Sequence, residues 1–261
     1  MSLDLAFPTF WHEEVARTVV HFFQGRGGAQ AVLVIASCAR GAAERESDLD
    51  MAVLIAPDLA GKDREALERE WSAFRGSSEA VRHLTESSRF GALHLDLIDG
   101  AYQPTQWDDG GGPDDFELEI GNHIAYSVPL WQGSRAFEEL KAKWLPYYEE
   151  SLRRDRLEMV RQACLYDLDF VPFYVKRRLY FQAFDRLYKA FREFLQALFI
   201  SRRTYPIAYN KWIRWQVCEV LSAPELYREL PRVVEVSQLE DSGLLTNCSH
   251  LRGLVEEWIP P

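Results

Sequence analysis

The chain of 261 residues predicts an α+β fold, an α/β front half followed by an all-α helical bundle. Three observations predict it. Short apolar runs of strand type are confined to the front half. Beyond Ala136, apolar residues recur at helical spacing over long stretches. Charge is also divided: residues 1–150 hold 26 acidic and 13 basic residues, 151–215 hold 6 and 14, and 216–261 hold 8 and 3.

The elements follow in order. Trp11 to Gly25 carries Val15, Val19, Phe22 and Phe23 at helical period and stops at glycines. Ala31 to Ile35 is a short buried strand. Ser47 to Ile55 is a second strand, ended by Pro57. Asp63 to Arg75 is a charged amphipathic helix with Leu67, Trp71 and Phe74 inward. Leu93 to Asp99 begins as a clean alternation and reads as a third strand. Asp108 to Asp115 is a loop by composition, and Ile124 to Trp131 is an edge strand ending at Gly133. Phe137–Tyr148, Arg153–Leu168, Phe173–Phe199 and Ala208–Leu221 then read as helices, with breaks at Pro172 and Pro206. The domain boundary is placed at 135/136. There is no internal repeat.

Several function classes recede on composition. No apolar run reaches 18 residues, so no membrane span is expected. The first ten residues hold Asp4 and Pro8 and lack a secretory pattern. Cys38, Cys164, Cys218 and Cys248 are scattered, without zinc spacing or a disulfide framework, which suits a reducing cytoplasm. A formal charge of −10 disfavours a general nucleic-acid binder. The basic 151–215 segment beside an acidic half suits a polyanionic ligand, or else a helix with solvated Lys and Arg faces.

The most informative stretch is Ala36-Ser37-Cys38-Ala39-Arg40-Gly41, five residues, then Ser47-Asp48-Leu49-Asp50. Carboxylates two apart on a strand share one face, while Leu49 and Met51 point the other way into a core. Such a face can hold divalent metal. Asp96 lies opposite Leu95 and Leu97 in the third strand and can face the same cleft. Two bound Mg²⁺ ions would clamp an in-line displacement at an α-phosphorus, with Asp96 able to take the hydroxyl proton. A lone Asp-x-Asp occurs on many strand ends; Ser37-x-x-Arg40-Gly41 upstream and Asp96 on another strand give it context. His94 alternates in phase with Asp96 and has two readings, a residue touching the site and a surface or core histidine, the second favoured. Arg40 has two readings, a phosphate partner and a structural ion pair.

This order of small residue-Ser, Arg-Gly, Ser-Asp-x-Asp and a later strand carboxylate resembles the DNA polymerase beta-like nucleotidyltransferase superfamily. The two-domain layout resembles its bacterial antibiotic-modifying, small-molecule enzymes. The likeness covers roughly residues 15–131 and is weaker beyond. It implies a catalytic core of residues 1–135 with a mixed sheet, and a helical domain of 136–261. It implies catalytic, metal-binding Asp48, Asp50 and Asp96, two Mg²⁺ ions, and an NTP co-substrate, ATP. It puts Ser37, Arg40 and Ser47 at the nucleotide, with Lys189 and Lys211 of the helical half as candidates to neutralise triphosphate. Lys211 reads equally as part of a helix start packed by Tyr205 and Trp212. The acceptor would be a small-molecule hydroxyl, a cationic one being drawn by the acidic half. The family's first Gly is Ala36 here; an Ala can approach phosphate with φ negative. A protein- or RNA-modifying transferase and a catalytically weak nucleotide-binding regulator are the alternatives.

Overall fold

The computed structural model describes residues 5–59, 61–87, 89–105 and 112–260. Half of the expected Asp/Gly loop, residues 108–111, lies outside them. The chain forms two compact units: Met1–Tyr102 with Ile120–Pro146, and Gln103–Glu119 with Tyr147–Pro261. The expected boundary at 135/136 thus falls one helix before the break at Pro146, and the second unit also takes in an earlier segment.

In the first unit, α1 (Phe10–Phe23) starts where Thr9 Oγ1 accepts the His12 backbone N–H at 3.3 Å. Its Val15, Val19, Phe22 and Phe23 are buried. There follow β1 (Ala29–Val34), α2 (Ala36–Ala39), β2 (Leu49–Ile55), α3 (Gly61–Ser77), α4 (Glu79–Ser87) and β3 (Leu93–Ile98). The chain passes through α5 (Phe116–Ile120), which up to Glu119 belongs to the second unit, and returns with a π-helical turn, Gly121–Ala125, then β4 (Val128–Gln132) and α6 (Ala136–Trp144). The expected strand from Ile124 therefore starts later. Ile124 belongs to the π-helical turn, where its buried side chain packs.

The sheet order is β3-β2-β1-β4. β2 pairs parallel with β3 and antiparallel with β1, and β4 is antiparallel to β1. The sheet is mixed and the fold class is α+β. Leu49 and Met51 are fully buried in a core shared with Val19, Phe23 and Trp71. Burial of each such side chain stabilises by about 2 kcal/mol. The pleat leaves Asp48 and Asp50 on the opposite, wetter face.

The second unit is helical: α7 (Glu150–Lys176), α8 (Tyr180–Ser201), α9 (Ile213–Trp215) running into a second π-helical turn at Gln216–Val220, α10 (Pro224–Val234) and α11 (Gly243–Trp258). Leu168, Leu187, Phe194, Leu198 and Leu251 centre its core. No helix among the described residues is long and apolar enough to cross a membrane.

Two helix expectations change. Pro172 does not end a helix; α7 runs through it to Lys176. A proline there leaves the Leu168 carbonyl without its usual donor, and the Cys248 thiol donates to that oxygen at 3.3 Å. The break comes instead at Arg177–Leu179, where Arg178 has φ +58°. The helix expected from Ala208 begins only at Ile213. The Gln216 side chain holds the preceding loop open: its Oε1 accepts from the Ile207 N–H, and its Nε2 donates to the Ala208 and Lys211 carbonyls.

Candidate functional site

β2 begins at the end of the loop that follows α2, and three contacts fix that start. The His12 ring, fully buried on α1, lies 2.7 Å from Thr9 Oγ1 through Nδ1 and 3.0 Å from the Ser47 carbonyl through Nε2. The Glu44 N–H donates to Ser47 Oγ at 2.9 Å, closing the loop. The Ile35 N–H donates to the Asp50 carbonyl at 3.0 Å. Asp48 and Asp50 are thereby set on a braced backbone.

Asp48, Asp50 and His94 each offer a ligand atom, and these atoms lie within 4.8 Å of one another. Among the described residues this is the group of three or more such side chains with metal-ligand spacing. Parallel pairing of β2 and β3 explains it, since Asp50 is in register with His94. His94 Nε2 is 3.7 Å from Asp48 Oδ2. Asp96 pairs in register with Ala52, two residues further along β3, about 7 Å of strand rise. It sits outside the cluster, with Oδ2 3.9 Å from His123 Nε2.

His123 comes from the π-helical turn. Its ring stacks near Tyr102, and its Nδ1 is buried without a hydrogen-bond partner among the described residues. Such turns recur at functional sites because they re-aim a side chain that a regular helix would point elsewhere. The nearby imidazole favours the charged form and holds the Asp96 carboxyl below the usual carboxylate range.

Beneath the carboxylates lies Cys38. Burial raises its thiol to about 12, and Asp50 and Asp48 add to the rise. It therefore stays a neutral thiol, weakly donating to the Asp48 carbonyl at 3.8 Å. Arg40 is half-buried; burial lowers its guanidinium pKa, while Tyr126 and Asp50 act against that. Its charge is thus felt at Asp50.

The structure places the remaining expected residues as follows. Ser37 is the second residue of α2, and Ser47 has its hydroxyl committed to the 44–47 loop. Ala36 has φ +53°, so the expectation of negative φ does not hold. The chain must turn from β1 into α2 within one residue, and Ala36 takes the left-handed conformation a Gly would adopt freely. Lys189 and Lys211 belong to the second unit. Lys189 Nζ is 3.4 Å from Asp185 on α8, and Lys211 is exposed in the loop before α9.

Two carboxylates on one strand face supply the hard oxygen donors that Mg²⁺ takes. His94 adds an imidazole donor, which suits Mn²⁺ or Zn²⁺ better than Mg²⁺. The donor set fits a divalent cation.

No family model matches the chain, and no curated protein matches it. Among solved structures, the chain is similar to a nucleotidyltransferase-like protein from Exiguobacterium sibiricum 255-15. That similarity is 12% in identity, covers 94% of this chain and 74% of the other, and has a TM-score of 0.45. A toxin-antitoxin structure with AMP-PNP is 16% identical, over 49% of this chain and 81% of that chain, with a TM-score of 0.30.

Proposed function

We propose that the chain is a divalent-metal-dependent nucleotidyltransferase, moving a nucleoside monophosphate, AMP, from its triphosphate to a hydroxyl of a small acceptor. One observation carries this reading: ligand atoms of Asp48, the residue just before β2, of Asp50 within it and of His94 on β3 lie within 4.8 Å of one another. Asp48, Asp50 and His94 would hold the cation, which would supply charge neutralisation at a triphosphate and a lowered pKa for a hydroxyl. Asp96, kept ionised by His123, accepts the proton of that hydroxyl. The acceptor oxygen forms its bond to the α-phosphorus, the bond to the leaving oxygen breaks, and pyrophosphate departs. Arg40, whose charge reaches Asp50, steadies the carboxylate pair or meets phosphate.

A second reading, a nucleotide-binding protein without turnover, is favoured by one observation. Asp96 stands outside the Asp48/Asp50/His94 cluster, on His123.

The test is a thermal-shift screen of ATP, GTP, CTP and UTP, with and without Mg²⁺ or Mn²⁺, on the wild type and Asp48→Ala. A ligand that binds only the folded chain must raise its melting temperature. Cation-dependent stabilisation in the wild type alone is the expected result, and stabilisation of both proteins alike overturns the site. Pyrophosphate release with a panel of hydroxyl compounds then separates the two readings.

A further inference from the structure

The second unit holds an open cavity of about 370 Å³, lined by Gln103, Thr105, residues of 112–119, α7 and α8. One wall is apolar, with Phe116, Val160 and Ala163. Asp115, Glu119 and Glu193 bring carboxylates, and no Lys, Arg or His among the described residues lines it. A fourth lining carboxylate, Asp114, is already met by Arg156 and by Gln196.

Glu193 is the group that points to a ligand. It is 1% exposed, yet its Oε2 has no hydrogen-bond partner among the described residues. Buried carboxylate oxygens are almost always paired, because an unmet acceptor in the interior is costly. Burial, with Asp167 adding to it, pushes the Glu193 carboxyl up to about 8. The nearby cations that oppose this, Lys189, Arg186 and Arg192, do not line the cavity.

We propose that this cavity binds a small organic cation, its ammonium or amidinium group donating to Glu193 and its apolar body lying against Phe116 and Val160. An anion is disfavoured by the carboxylates. A bare Mg²⁺ or Ca²⁺ ion needs six or more oxygens around it and would leave the apolar wall uncovered. The proposal goes beyond nucleotidyl transfer and stands on the second unit alone, whether or not transfer occurs.

The experiment is titration calorimetry of the full chain with benzylamine, and with benzyl alcohol as the uncharged probe of the same shape. Three proteins are compared: wild type, Glu193→Gln and Met159→Trp, the last adding bulk to the cavity wall. Benzylamine should bind wild type roughly tenfold or more tighter than the alcohol, the ratio a charge-assisted hydrogen bond gives. Glu193→Gln should erase that preference, and Met159→Trp should weaken both probes. Circular dichroism reports whether Glu193→Gln folds; if it does not, Met159→Trp carries the test. Equal binding of amine and alcohol overturns the proposal. So does an amine affinity unchanged by the variants, or no saturable amine binding.

Discussion

Arg156→Met is the perturbation whose cost can be worked most directly. Arg156 is 3% exposed on α7. It donates to Glu117 through Nε at 2.7 Å and Nη2 at 2.8 Å, and to Asp114 through Nη1 at 3.2 Å and Nη2 at 2.7 Å. Glu117 is fully buried, and Tyr148 Oη and Gln196 Nε2 also donate to it. Methionine fills much of the volume and keeps contact with Phe116, so packing changes little. What remains is a buried carboxylate without its cation. Breaking such a pair costs about 3–5 kcal/mol. The loss has a ceiling, because a buried carboxylate can escape by taking up a proton, at about 4 kcal/mol from the ordinary range at neutral pH. Both routes give a loss of about 3–4 kcal/mol. Urea denaturation followed by far-UV circular dichroism, dominated by the helical unit, measures it. Glu117→Gln combined with Arg156→Met should recover much of the loss, since the uncompensated charge is then gone. A loss under about 1 kcal/mol in the single variant would refute the reasoning.

Three further outcomes are expected. Ala36→Gly should raise stability by up to about 1 kcal/mol, since the left-handed conformation strains Ala by about 1–2 kcal/mol and Gly returns part of that as chain entropy; a lower melting temperature would count against the strain. His94→Ala should weaken Mn²⁺ binding, while Asp96→Asn should spare it and depress turnover; calorimetry beside pyrophosphate release decides, and the reverse pattern exchanges their roles. Glu193, facing Asp167, Lys189, Arg186 and Arg192, has its carboxyl raised from 4.5 to about 8. The native state then keeps a proton that the unfolded chain has released, so stability should fall as pH rises from about 4.5 through about 8, by at most about 5 kcal/mol. In Glu193→Gln that decline should vanish, and persistence of the full slope in the variant would show that other groups cause it.

Much of the first unit was legible because its signals are local. The period-two pattern around Asp48 and Asp50 fixes which residues face the core, and burial of Leu49 and Met51 agrees. The histidines were harder. His12 acts across 35 positions on the Ser47 carbonyl, and only Thr9, a helix cap three residues ahead, hints that its surroundings are ordered. His123 lies in a π-helical turn, which has no simple periodicity, and Gly121 and Asn122 before it suit a strand poorly. His94 was visible as an in-phase neighbour of Asp96, but its closeness to Asp50 depends on the parallel register, which one strand cannot reveal. The passage of α7 through Pro172 is met by a thiol 80 residues from the Leu168 carbonyl it caps. α4, with only Val81 and Leu84 buried, offers too short an apolar stripe to stand out.

The path of the chain between the units bears on how the protein is made. Residues 103–119 leave the first unit and belong to the second, whose other part starts at Tyr147. On a ribosome, Asp114 and Glu117 emerge before Arg156. At about 5–20 residues per second, the delay lasts on the order of seconds. For that interval two carboxylates destined for the interior have no guanidinium to meet them, so the acidic segment stays in water until α7 is synthesised. A fragment ending at Pro146 would carry those carboxylates without their cation. One starting at Tyr147 would carry the cation without them, and its unit would lack the part contributed by Gln103–Glu119.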